Sequence, residues 1–341
     1  MISFESDYVN GAHPAVLRRL IETNDTVACG YGADPLCEAA REKIRLACEA
    51  PDADVEFLVG GTQSNAAVMA AMMQDYEGVV CADTGHIAVH EAGAIEYTGH
   101  KVIALPGKTG KLDPDTLRRH LETFYADDTR EHGVFPGIVY LSHPSEYGTL
   151  YSKAELEAIS GLCRQYGMRL YLDGARLGYG LMSRSTDVTL TDLVRLCDAF
   201  LIGGTKVGAL CGEAVVFPRH GRPAHFTNSI KRRGALLAKG RLIGVQFDAL
   251  FTDGVYFEIG RYAIDLAEKL KAAFTEKGIP FYLDSPTNQL FPILDNDTAE
   301  RLSRDFVFSR WDAVDDTHTV FRFVTSWSTA PEDVEKLKAA L

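Results

Sequence analysis

The sequence predicts an α/β protein: a large domain on a mostly parallel sheet, then a smaller α+β C-terminal domain. Three observations carry this. Short apolar runs alternate with helical stretches between residues 55 and 218. Several of those runs are continuous in Val, Ile, Leu and Phe rather than alternating with polar residues, which marks strands buried on both faces. After about Gly254 the pattern changes to a helix followed by several short strands.

In chain order the strands are "VEFLVG" (55–60), "GVVCAD" (78–83), "KVIALP" (101–106), "GIVYLS" (137–142), "MRLYLD" (168–173), "AFLIGG" (199–204) and "EAVVFP" (213–218). Helix starts lie between them. Asp113 before Pro114 reads as an N-cap with Pro at the first helical position, and Ser152 with Glu155 as a capping box. A long helical segment is expected from about Ile230 to Phe251, and another over roughly 256–277. Then come "PFYL", "LFPIL", "FVFSRW" and "VFRFVTSW", and a closing helix capped by Thr329 with Glu332. The division is 1–250 for the N-terminal segment and large domain, and 251–341 for the small one. The N-terminal stretch is a candidate to pack against the latter.

Composition excludes several functions. A net charge of −12 disfavours non-specific binding to nucleic acid or anionic membranes, which want basic patches. The longest apolar run, Ala66–Met73, is too short to span a bilayer, and "MISFESDYVNG" lacks the basic start and apolar stretch of a signal peptide. The seven cysteines are scattered without a C-x-x-C, which fits reduced thiols in a cytoplasmic protein.

The chemistry lies at strand ends. In "FLIGGTKVGALCGEAVVF" (200–217), Lys206 stands between two buried strands, although an ammonium in low dielectric is costly. After "VEFLVG", Gly61-Thr62-Gln63 opens a helix whose free N–H groups suit an anion; the alternative is a plain turn with Thr62 as N-cap. The stretch is neither a P-loop nor G-x-G-x-x-G, which argues against a nicotinamide oxidoreductase. His86 follows the next strand, where open sheets bind ligands. His90 lies four residues on, but no third ligand stands at a telling spacing, so no metal site is expected. Asp173 ends a buried strand with Arg176 three residues later. The two either pair with each other or leave the carboxylate to face a pyridinium nitrogen. A lysine, a carboxylate and an anion cradle together suit pyridoxal 5′-phosphate.

"SD" (6–7), "GYGADPLCEAAREKI" (30–44), "GGTQSNAAVM" (60–69), "HIAVHEAGAIE" (86–96), "YLDGARLG" (171–178), "GGTKVGALCGEAVVF" (203–217), "IKRRGALLAKGR" (230–241) and "VFRFVTSW" (320–327) carry a resemblance. In these stretches the chain resembles the threonine aldolase (β-eliminating lyase-type) branch of the fold-type I pyridoxal-phosphate enzymes. The resemblance implies an aspartate aminotransferase-like fold and cleavage of the Cα–Cβ bond of L-β-hydroxy-α-amino acids (threonine, allo-threonine or phenylserine type) to glycine and an aldehyde. The alternative is another pyridoxal-phosphate-dependent lyase, racemase or aminotransferase. By the same resemblance Lys206 would carry the cofactor, Asp173 would face the ring nitrogen, and His86 would lie over the ring and relay the β-hydroxyl proton. Gly61, Thr62, Gln63 and Thr205 would hold the cofactor with Arg176. Ser6, Arg176 and Arg322 would bind the substrate carboxylate. Tyr31 and Arg233, the latter in the basic run Lys231–Arg233, would come from a neighbouring subunit of a homodimer or homotetramer. His132 aligns loosely with a second active-site histidine of some members. Departures are Thr205-Lys206-Val207 in place of Ser-Lys-Gly, and Ser326 where a histidine often follows "FVT".

Overall fold

A computed structural model describes residues 1–341. The seven apolar runs form β1 (Asp54–Leu58), β2 (Glu77–Ala82), β3 (Val102–Leu105), β4 (Phe135–Ser142), β5 (Arg169–Asp173), β6 (Ala199–Gly203) and β7 (Glu213–Phe217). They make one sheet in the spatial order β1-β7-β6-β5-β4-β2-β3. Neighbours run parallel, except that β7 is antiparallel to both β1 and β6. Alternate residues serve opposite faces. Val139 and Leu141 of β4 enter a cluster of 46 buried residues on one face, while Ile138 and Tyr140 enter a cluster of 20 on the other. Helices therefore cover both faces, which is what strands without polar alternation require. The C-terminal ends of β1, β2, β5 and β6 share one edge, the edge at which open α/β sheets bind ligands.

Beyond the sheet, the helix Val255–Glu276 leads to an antiparallel arrangement in which His318–Val324 pairs with Ile293–Asp295, Ser309–Ala313 and Gln289–Leu290. A third core cluster lies here, with Phe274, Leu290, Phe323 and Leu337. The N-terminal stretch joins it. Ile2–Ser3 pairs in parallel with Phe306–Val307, and Phe4 is buried in the same cluster.

The capping box at Ser152 and Glu155 forms, and Asp113 stands at the N-cap of a helix that opens with Pro114, though its side chain makes no capping bond. Three expectations change. The segment 230–251 is two helices, Phe226–Arg232 and Arg241–Leu250. The chain turns between them at Gly234, whose φ of +67° lies in the left-handed region that favours glycine. The closing helix starts at Pro331 with Ala330 at the cap, and Thr329 Oγ1 instead accepts the Ser326 N–H at 2.9 Å. "PFYL" makes only a single bridge, Phe281 to Pro292. All seven cysteines are free, and no helix is long and apolar enough to cross a membrane.

Candidate active site

Local sterics decide where Lys206 sits. Buried β6 runs into Gly203-Gly204. A Cβ on Gly203 would lie 2.3 Å from the Ala175 carbonyl oxygen, and one on Gly204 would lie 2.6 Å from that of Gly212. Glycine at both positions lets the strand end lie against the loop after β5 and against the returning chain. The return is pinned by the Gly204 and Thr205 N–H groups on the Gly212 carbonyl, both at 3.1 Å, and by the Gly212 N–H on Thr205 Oγ1 at 3.0 Å. Lys206 stands on this reversal, half-buried, and lines a cavity of about 350 Å³. Burial lowers its pKa below the usual lysine value, and the Arg176 charge adds to the effect.

Gly60, Gly61 and Thr62 form one wall of this cavity. The helix Gly61–Met72 has Gly60, not Thr62, as its N-cap, and no side chain caps it. Its first N–H groups therefore lack an internal acceptor. A Cβ on Gly60 or Gly61 would meet no atom within 4 Å, so this wall is open. Gln63 is placed elsewhere. Its Oε1 accepts the Val59 N–H at 3.2 Å, and it lines a separate cavity together with Arg232 and Arg233.

Asp173 ends β5 inside the cavity, but it does not pair with Arg176. Its Oδ1 accepts the Ala175 N–H at 2.9 Å, and its Oδ2 accepts from Tyr140 Oη at 2.8 Å and Asn65 Nδ2 at 2.9 Å. Asn65 Nδ2 also donates to Glu91 Oε1 at 2.7 Å, and His86 Nδ1 lies 2.8 Å from that same oxygen. Glu91 Oε1 is thus an acceptor, which puts the His86 proton on Nδ1 and leaves Nε2 toward the cavity. Burial works against an imidazolium at His86, but the Glu91 hydrogen bond and the Asp173 charge outweigh it and raise its pKa. On the other side the His86 backbone N–H donates to Glu146 Oε1 at 2.9 Å.

Arg176 spends most of its fork internally. Nε donates to Asp7 Oδ2 at 2.7 Å and Nη2 to Asp7 Oδ1 at 3.0 Å, while Asn288 Nδ2 also donates to Asp7. The carboxylate that pairs with Arg176 is therefore Asp7, in a turn of the N-terminal segment. Arg176 still lines both the inner cavity and an outer chamber of about 770 Å³. Arg322 lines the outer chamber, packed over the Trp311 ring at 5.4 Å, with Nη2 donating to the Glu5 carbonyl at 3.3 Å. Its Nε is buried without a partner, and so, in the N-terminal segment, is Ser6 Oγ.

Glu213, the first residue of β7, also faces the cavity. Its Oε2 accepts the Gly204 N–H at 2.9 Å, and burial pushes its pKa up to about 8. An acid raised in this way binds more protons folded than unfolded between its ordinary value and about 8, so it makes stability fall as pH rises through that window. Glu213→Gln is expected to flatten the fall in urea midpoint between about pH 5 and 8. A variant with the wild-type slope would show that Glu213 is ionised throughout.

The remaining expected residues lie apart within this chain. Tyr31 is exposed, with Lys231 Nζ over its ring at 4.7 Å, and Arg233 Nη1 bonds to Ser229 Oγ at 2.9 Å. Neither lines the cavity of its own chain. His132 sits in an exposed turn ahead of β4. His90 lines the outer chamber with its ring centroid 5.6 Å from that of His86, and no group of three or more His, Cys, Asp or Glu is arranged to hold a metal ion. Sequence reasoning missed Asp7 as a partner of Arg176, and it missed Asn65, Glu91, Glu146 and Glu213 altogether. The available signal was polar side chains inside apolar runs: Asn65 in "SNAAVM", Glu213 opening "EAVVF".

A sheet of this order, with a lysine on the β6–β7 reversal and a carboxylate ending β5, defines the fold-type I class, whose members are pyridoxal-phosphate enzymes. The same fold, at 15% identity, is seen in the Thermus thermophilus aspartate aminotransferase, with a TM-score of 0.69 over all of this chain and 92% of that one. Residues 3–323 match the Beta-eliminating lyase family, and the chain belongs to it. It is 40% identical to the threonine aldolase of Leishmania major, with a TM-score of 0.96 covering 99% of this chain and 98% of that one. It is also 28% identical to the low specificity L-threonine aldolase of Pseudomonas aeruginosa, over 98% of this chain and 95% of that protein.

Proposed function

We propose that the chain is a pyridoxal-phosphate-dependent aldolase that cleaves L-β-hydroxy-α-amino acids to glycine and an aldehyde. One observation carries this reading. Lys206 and Asp173 share a cavity that opens past His86 into a chamber lined by Arg322, whose Nε is unsatisfied. The residues fit the cofactor. The open Gly60–Gly61 wall, with uncapped helix N–H groups, suits its phosphate, Asp173 suits its ring nitrogen, and Lys206 suits its aldehyde. When bound, that group supplies an electron sink for the pair released from the Cα–Cβ bond.

The chain's own residues do the rest. Lys206, with its lowered pKa, gives up its proton more readily than an ordinary lysine and so makes a better nucleophile. Asp173, fixed by three donors, presents a carboxylate whose position is set before anything binds. Arg322 and Ser6, with Arg176 beside them, hold the substrate carboxylate and so orient the bond to be broken. His86 Nε2 takes the β-hydroxyl proton, and Glu91 on Nδ1 holds the ring in the tautomer that permits it. The site is completed in a homodimer or homotetramer, with Tyr31 and Arg233 reaching a neighbour's cavity. Their position away from the cavity of their own chain favours this arrangement.

Arg322→Ala is expected to weaken amino-acid binding by about 2–4 kcal/mol, read as a raised KM with a smaller change in kcat. An unchanged KM would remove Arg322 from the carboxylate site. The function itself is tested by incubating the holoenzyme with L-threonine and with β-phenylserine and measuring glycine and aldehyde. Release of both products supports the reading. Turnover that leaves Cα–Cβ intact assigns the site to a different lyase, a racemase or an aminotransferase.

A further inference from the structure

Seven residues around Asp173 close into a hydrogen-bonded ring: Asp173, Tyr140, Ser142, Glu146, His86, Glu91 and Asn65. One half of that ring does not balance unless a carboxyl supplies a hydrogen. Three oxygen–oxygen contacts run in series: Asp173 Oδ2 to Tyr140 Oη at 2.8 Å, Tyr140 Oη to Ser142 Oγ at 3.0 Å, and Ser142 Oγ to Glu146 Oε1 at 2.5 Å. Each contact needs one hydrogen, and Tyr140 and Ser142 bring one each. The third comes from a carboxyl at one end of the series. At the Asp173 end both oxygens already accept N–H donors, from Ala175 and Asn65, as an ionised carboxylate does. At the other end Glu146 is half-buried, its Oε1 accepts a single N–H, from His86, and its buried Oε2 has no donor at all.

We infer that Glu146 is the proton-bearing end of a one-way chain, donating to Ser142, which donates to Tyr140, which donates to Asp173. Glu146 is then a positioning residue. Its proton turns the Ser142 and Tyr140 hydroxyls toward Asp173, so that Asp173 stays ionised and fixed at the inner cavity, while Glu146 itself borders both the inner cavity and the outer chamber. The groups facing Glu146 agree. Burial disfavours its charge and Asp173 on β5 repels it; together these outweigh the Ser142 contact, the backbone N–H bond and the His86 charge, which favour ionisation, and Cys81, Tyr140 and Tyr151 around it are neutral acids whose own pKa values burial raises. The assignment depends on the proposed function only for what Asp173 does. It is read without turnover, so its failure and that of the aldolase reading are separable.

The test is the carboxylic-acid C=O stretch in the infrared spectrum of the holoenzyme at neutral pH. Glu213 also contributes an acid there, so variants isolate the band. Glu146→Gln is expected to remove one protonated-carboxyl band, and Ser142→Ala to shift that same band by deleting the acceptor of its O–H. If no band is lost in Glu146→Gln, or if Asp173→Asn removes it instead, the chain runs the other way and the inference fails. Should Glu146→Gln not fold, Ser142→Ala decides alone: an unshifted acid band overturns the assignment.

Discussion

Lys206→Ala is expected to lower turnover by at least about 10³-fold, because the group it removes acts as a unit with everything else in the cavity. The visible absorption of lysine-bound cofactor should vanish, while the fold, read by circular dichroism and melting temperature, stays intact. The fold should survive because Lys206 contributes charge, not packing, to its surroundings. Its ammonium is costly where it stands, and the neighbouring Arg176 adds to that cost. Removing it relieves a conflict rather than breaking a contact. The Tyr8 ring, 5.9 Å from its Nζ, is itself about half exposed and needs no replacement partner. A variant that kept wild-type activity would falsify the central role of Lys206.

Asp7→Ala should be the most damaging single change to stability, about 3–5 kcal/mol, because it leaves the buried Arg176 guanidinium without its counter-charge. Burial alone would raise the Asp7 pKa, but Arg176 and Lys206 outweigh it and hold the carboxyl below its ordinary value. A depressed carboxyl stabilises the fold above its unfolded pKa, and that contribution is lost only as pH falls through the lower folded value. The defect of Asp7→Ala should therefore be full at neutral pH and shrink in acid, as wild type loses the same interaction. Urea midpoints at pH 7 and near pH 3 check both statements. A neutral-pH loss below about 1 kcal/mol would mean that water reaches Arg176.

How much was legible in the sequence follows from which signals are local. The strands of the large sheet were legible because burial on both faces leaves an unbroken apolar run. Lys206, Asp173 and His86 were legible because a charged or polar residue at the end of such a run has no packing reason to be there. Pairings across the chain were not legible. Asp7 and Arg176 stand 169 positions apart, and the three-residue spacing of Asp173 and Arg176 left a local pair open, whereas Arg176 bonds Asp7. Asn65 looked like one more residue of an apolar helix, since nothing local says that its amide reaches both Glu91 and Asp173. The break over 233–240 was missed because "ALLAK" within it favours a helix locally, while the left-handed Gly234 turns the chain.

The N-terminal segment has a mechanical consequence. Phe4 is locked among Phe306 and Phe323 in the C-terminal core, and Asp7 is locked on Arg176 beside the large sheet. Three residues of chain reach at most about 10 Å when fully extended. The segment is thus a short leash across the seam between the two halves of the molecule. Any hinge that widens the outer chamber must pivot close to residues 5–6, and Arg322, on the strand His318–Val324, is tied to the leash by its bond to the Glu5 carbonyl.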